Sequence, residues 1–167
     1  MSTTVQESRQ GSESAASEVV VNDLSIHVAT VNGSGSQSSN MLLLRGMFYM
    51  GIPVSGKNLF PSNIAGLPTG FTSRASKDGY IGRNADVDVL VCMNPATVKE
   101  DVLAARSGIT VIYDEALKAH TYRQDLHFHA VPFQKLVAEC CPQVKLRKLV
   151  VNMIYVGVLA EMYGVEQ

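Results

Sequence analysis

A strand that runs into a glycine- and serine-rich turn and then into an apolar helix is the feature that most limits how this chain can fold. Val28, Ala29, Thr30 and Val31 are small or β-branched. Asn32, Gly33, Ser34, Gly35, Ser36, Gln37 and Ser38 follow, and from Met41 the sequence is apolar again. β-branched residues favour extended backbone, and glycine admits the positive φ that a tight reversal into a helix demands. Such a junction directs backbone N–H groups outward at the positive end of a helix dipole, where an anion can approach without a Cβ in its way. The spacing Gly33-x-Gly35-x-x-Ser38 only approximates the dinucleotide fingerprint, and no acidic residue stands at the expected distance after a second strand. A tight turn with no ligand is therefore the alternative reading.

The 167 residues are enough for one domain with a substantial core, and 14 basic against 15 acidic side chains leave a formal net charge of −1. This balance gives no electrostatic reason to expect nucleic acid or a membrane surface as partner. No apolar run approaches the ~20 residues that span a bilayer, and the polar, glutamate-containing start lacks the basic-then-apolar order of an export signal. A cytoplasmic location is the expectation. Cys92, Cys140 and Cys141 are the only cysteines. They have neither disulfide-framework nor CxxC spacing, so the chain alone has no set of thiolates for an iron–sulfur cluster. Cys92 reads as a small buried hydrophobe, and the Cys140–Cys141 pair before Pro142 as the end of a helix.

Residues 1–18 are rich in Ser, Glu, Gln and Thr. They offer too little apolar surface to offset the entropy of ordering and read as a disordered leader. Residues 19–167 read as one globular domain. Residues 19–31 form the first strand, and residues 41–50 a helix that is apolar nearly all round apart from Arg45, buried against a sheet and ended by Gly51. A second strand over 71–75 turns through Lys77, Asp78 and Gly79 as a hairpin toward Tyr80 and Ile81. Residues 87–93 form a buried central strand, after which Asn94 and Pro95 supply the N-cap and first position of a helix over 96–105. Strands over 109–113 and 126–131 follow, and a last helix over 144–163 carries a broad apolar face and stops at Gly164. The alternation predicts an α/β fold, a three-layer α/β/α arrangement around a mostly parallel, Rossmann-like sheet with a hairpin excursion. Ligands in such sheets bind beyond the carboxyl ends of the strands. That rim would hold residues 32–38, Asn94, Pro95 and Asp114.

Residues 52–70 combine several prolines, glycines and asparagines with no sustained period. They read as a long structured loop, a kind of segment that is often functional. Lys57 is its only cation. A solvated surface lysine is one reading; a phosphate or carboxylate contact, in the setting of Gly56 and Asn58, is the other.

The turn 29–40, the loop 50–69, the junction 92–97 and the tail 152–160 together resemble the gamma domain of the 2-oxoacid:ferredoxin (acceptor) oxidoreductases, and most nearly the N-terminal part of the alpha subunit of 2-oxoglutarate-type enzymes. The resemblance runs from about residue 21 to the end. It implies an enzyme that decarboxylates a 2-oxo acid oxidatively with thiamine diphosphate and Mg2+, passes electrons through iron–sulfur clusters to ferredoxin, and releases an acyl-coenzyme A. It places the thiamine and the clusters in partner domains of the alpha and beta subunits, and gives this domain a packing role and part of the coenzyme A site. The positions carried over for coenzyme A are Asn32, Gly33, Ser34, Gly35, Ser36, Gln37 and Ser38 in the turn, and Ser55, Gly56, Lys57, Asn58, Ser62 and Asn63 in the loop. None is a proton-transfer catalyst. Alpha subunits of this family continue into further domains, so the resemblance also implies that the chain is a fragment or a separately encoded subunit, with apolar surface meant for a partner. A stand-alone coenzyme A- or nucleotide-binding module, or an assembly module, is the alternative.

Other groupings carry less. His127 and His129 fall on one side of a strand, a spacing compatible with metal ligation, but no third ligand stands nearby and two packed or surface histidines are the simpler reading. His27 and His120 form no recognisable triad. Asp86 and Asp88 read as a solvated strand start, and Lys145, Arg147 and Lys148 as the polar first turns of the last helix.

Overall fold

The computed structural model describes residues 23–59, 67–82 and 86–165. The expected leader, residues 19–22 at the start of the expected first strand, and the candidates Ser62 and Asn63 lie outside the described residues. The elements run β1 (Leu24–Val31), α1 (Ser36–Tyr49), β2 (Val54–Leu59), β3 (Pro68–Ala75), β4 (Val89–Cys92), α2 (Val98–Ala104), β5 (Thr110–Asp114), two short 3-10 turns, β6 (His127–Val131), α3 (Phe133–Cys140) and α4 (Val144–Tyr163). The six strands form one sheet in the order β2-β3-β1-β4-β5-β6. β1, β4, β5 and β6 are mutually parallel, and β3 lies antiparallel between β1 and β2.

Strand alternation divides the core into two layers. Ile26, Val28, Phe71, Val89, Val91 and Ile112 point to one face, where α1, α3 and α4 cover them with Leu43, Met47, Phe133, Tyr155 and Leu159. Leu90, Cys92, Val111 and Tyr113 point to the other, against Val98 and Val102 of α2 and Ala119. The α/β/α layering agrees with the expectation from the alternating pattern. Arg123 ties the second layer together: its guanidinium donates to the carbonyls of Val102 and Leu103 at the end of α2 and pairs with Asp125. That pairing holds the Asp125 carboxyl well below the usual carboxylate range.

Four local expectations are corrected. The segment 52–70 is not a loop throughout, because residues 54–59 are an edge strand in register with β3. Its strand character was hidden by Gly56, whose missing side chain is replaced by a neighbour: a Cβ there would lie 2.5 Å from Phe71 Cζ. The antiparallel hairpin is accordingly β2–β3, and the turn at Lys77–Gly79 leads to no paired strand at Tyr80 and Ile81. Helix α2 starts at Val98 with Thr97 before it; Asn94 instead closes its own turn, its Oδ1 accepting the Ala96 N–H at 3.0 Å. Finally, α1 is not buried all round. Leu42, Phe48 and Tyr49 are largely exposed, since the helix lies on the sheet by its Leu43–Met47 side alone.

Cys92 has no solvent exposure, and burial, with a smaller contribution from Asp101, pushes its thiol up to about 12. Cys140 at the end of α3 is exposed. The thiolate is the nucleophile, so iodoacetamide at mildly alkaline pH should modify Cys140 and spare Cys92 until the protein is denatured. Peptide mass mapping checks this. Equal labelling of Cys92 in the folded protein would contradict the packing described.

Candidate functional site

The turn between β1 and α1 is built from three directions. Gly33 and Gly35 take φ of 80° and 82°, a left-handed backbone that glycine adopts without penalty. At Gly35 a Cβ would collide with Leu149 Cδ2 of α4, so the position is restricted by space as well as by conformation. α4 then grips the turn: Asn152 Nδ2 donates to the Ser34 carbonyl at 2.8 Å and to the Lys148 carbonyl at 3.3 Å. One turn further on, the fully buried Tyr155 donates its hydroxyl to Asn40 Oδ1 at 2.8 Å. Burial pushes the Tyr155 phenol far above its ordinary value, so it stays a donor. Inside the turn, the Thr30 and Ser36 hydroxyls share a hydrogen bond of 2.9 Å.

The sequence predicted this turn but not the groups that hold it. Thr30, Asn40, Asn152 and Tyr155 are buried polar residues set among apolar ones, and such residues need partners. A polar side chain interrupting the apolar face of the last helix was the available signal.

No acidic residue and no side-chain cap occupies the first turn of α1. The leading N–H groups of a helix have no partner within it, so their partial positive charge faces a cavity of about 260 Å³. Its lining brings together Asn32, Gly33, Gly35, Ser36, Gln37 and Ser38 with Asn58 of β2. Thr30, Asn40, Thr69, Gly70 and Phe71 complete the wall. The arrangement can accept an anion through backbone and neutral side-chain donors.

The remaining candidates divide. Ser34 lines a separate crevice on the β4 and β5 side of the turn. Asn58 pairs with Phe71 and Lys57 with Thr72, so by alternation Lys57 and Ser55 lie on the sheet face opposite the cavity. Lys57 is exposed and Gly56 is filled from behind by Phe71. On the same rim, Asn94 Nδ2 approaches the Thr30 carbonyl at 3.4 Å, and Pro95 and Asp114 join Ser34 around the second crevice. His127 and His129 are both exposed on the edge strand β6, and among the described residues no group of three metal-ligating side chains occurs. Nor, among those residues, is any helix long and apolar enough to cross a membrane.

The family model for pyruvate ferredoxin/flavodoxin oxidoreductase matches residues 25–167. Among curated proteins none matches the sequence. Among solved structures, the chain resembles a 2-oxoglutarate:ferredoxin oxidoreductase from Magnetococcus marinus that holds 2-oxoglutarate, coenzyme A and succinyl-CoA, with a TM-score of 0.76 at 21% identity. That match covers 87% of this chain and 25% of the other. It also resembles the pyruvate oxidoreductase subunit PORC from Thermotoga maritima, with a TM-score of 0.68 at 12% identity, covering 87% of this chain and 79% of that one. The gamma subunit of a keto/oxoacid ferredoxin oxidoreductase from Geobacter sulfurreducens gives 0.66 at 12% identity, covering 86% and 79%.

Proposed function

The chain belongs to the pyruvate ferredoxin/flavodoxin oxidoreductase family, and from that membership we propose that it is the gamma-type part of a 2-oxoacid:ferredoxin oxidoreductase acting on 2-oxoglutarate or a related 2-oxo acid. Its role is to pack against the catalytic alpha and beta partners and to hold phosphate of coenzyme A. The observation that carries the reading is the anion-accepting mouth at the start of α1: a first turn with no side-chain cap and no acidic residue, and Asn58 lining the same cavity. Support for coenzyme A as the anion comes from the similar Magnetococcus marinus enzyme, which holds coenzyme A and succinyl-CoA. Lys57 belongs to this proposal as the cation. β2 is the edge of the sheet, and its neighbour Asn58 lines the cavity, so the long lysine stem can bring its ammonium round the margin to a phosphate.

The residues present do not fit the redox groups of such an enzyme. Cys92 is locked in the core between β1 and β5, and Cys140 and Cys141 sit side by side at the end of α3. Iron–sulfur clusters take sets of thiolates, and no grouping of three ligands occurs among the described residues. In line with what the resemblance implies, we assign thiamine diphosphate, Mg2+ and the clusters to the partner domains, and electron transfer to ferredoxin to the assembled enzyme. The purified chain should contain no stoichiometric iron and show no oxidoreductase activity; iron retained after anaerobic preparation would contradict this.

Coenzyme A affinity of the assembled enzyme tests the site. Lys57→Ala should weaken it about tenfold, the low end of a charge-assisted phosphate contact because the ammonium is solvent-screened. Decarboxylation of the 2-oxo acid measured without coenzyme A should change little. Unchanged coenzyme A affinity would remove Lys57 from the site.

A further inference from the structure

On the other side of the turn, the crevice between the carboxyl ends of β1, β4 and β5 has a different chemistry. It encloses about 280 Å³ where the strand order reverses, the place at which open α/β sheets bind ligands. Asp114 lies in its wall, 8% exposed. One carboxylate oxygen accepts the Ala116 N–H at 3.1 Å, and the other has only a long contact of 3.5 Å from Gln134 Nε2, leaving acceptor capacity turned to the crevice. The Ser34 hydroxyl is buried in the same wall with no hydrogen-bond partner, an arrangement that ordinarily costs free energy. Asn152, 2% exposed, stands beside it.

Among the described residues no basic side chain lines this crevice, so it is unsuited to phosphate. Two N–H donors already offset part of the Asp114 charge, which favours neutral donors over a full cation. A hydroxyl group fits these partners: it donates to the carboxylate and exchanges a hydrogen bond with the Ser34 hydroxyl, while the Asn152 amide, both of whose N–H groups are spent on the Ser34 and Lys148 carbonyls, offers only its oxygen. Met93 and Leu117 supply apolar wall for a carbon skeleton. The volume is below that of a pocket for a whole drug-sized molecule, and suits one ring. We propose that this crevice is a vicinal-diol site that takes a sugar ring of the ribose type, with Asp114 accepting from the hydroxyls and Ser34 completing the contact. The proposal goes beyond the phosphate reading of the neighbouring cavity and does not depend on it.

Adenosine and 2′,3′-dideoxyadenosine, titrated against the full chain and followed by amide resonances, separate the possibilities. Adenosine should shift the backbone amide of Ala116 and the side-chain amides of Gln134 and Asn152, and the dideoxy compound should bind about tenfold more weakly or not at all. Asp114→Asn, which keeps the oxygen that caps Ala116, should weaken adenosine by a similar factor. Ser34→Ala provides the second arm. Removing an unpartnered buried hydroxyl should leave thermal stability unchanged or raised while still weakening adenosine, a pairing that a purely structural serine would not give. Equal binding of the two nucleosides, shifts confined to residues 35–38, or no response to adenosine at millimolar concentration would each overturn the proposal. Failure of coenzyme A to bind the assembled enzyme would leave this result untouched and count only against the phosphate reading.

Discussion

Replacing Tyr155 with alanine is expected to lower the stability of the folded chain by about 3–5 kcal/mol, the range for emptying a large, fully buried aromatic site. Tyr155 has no solvent exposure and stands where α4 meets α1 and the sheet, within the larger core cluster. Phenylalanine at the same position separates packing from hydrogen bonding. The ring is retained, but Asn40 Oδ1 loses its 2.8 Å donor in a buried setting, at a cost of about 1–3 kcal/mol. Urea unfolding of the three proteins measures both steps. Their order, alanine well below phenylalanine and phenylalanine below tyrosine, is the expected result. A phenylalanine variant as stable as the parent would mean that the Tyr155–Asn40 bond contributes nothing net, and that α4 is held to α1 by apolar contact alone.

The same residues mark how far the sequence could be read. The strong periodic signals were legible: the last helix is observed over Val144–Tyr163, with Gly164 at φ 63° ending it, because both its apolar face and its stop are local properties. The buried strand around Val89–Cys92 was legible for the same reason. β2 was not. An edge strand needs apolar side chains on one face only, and here one of those positions is Gly56, whose space is filled by Phe71 from the neighbouring strand. That replacement is a tertiary fact with no local trace. The location of the turn on the rim was readable from strand, glycines and helix. Its division into an anion-accepting side and a carboxylate-lined side was not, since Asp114, Asn152 and Asn58 arrive from three distant elements. Lys57 shows the reverse difficulty: a strand assignment decides which face a side chain takes, and a loop reading leaves that choice open.

Gly35→Val should damage stability and ligand binding together, for reasons that can be taken apart. A β-branched residue at φ 82° is a backbone outlier, strained by about 1–3 kcal/mol. Its Cβ must in addition displace Leu149 Cδ2, an overpacking term of about 1–3 kcal/mol that depends on how easily the leucine rotates away. The combined loss is therefore expected at about 2–6 kcal/mol by urea unfolding. Leu149 is half exposed, so shortening it to alanine costs less than a core truncation and opens the space the valine needs. The double variant Gly35→Val with Leu149→Ala should recover the packing share and none of the backbone share. Full recovery would show that the left-handed conformation is not needed and that the glycine serves only to admit Leu149. If half or more of the loss persists, the conformation itself is required. In that case the N–H groups that follow Gly35 are aimed by the turn, and coenzyme A binding by the assembled double variant should stay impaired although its packing is restored.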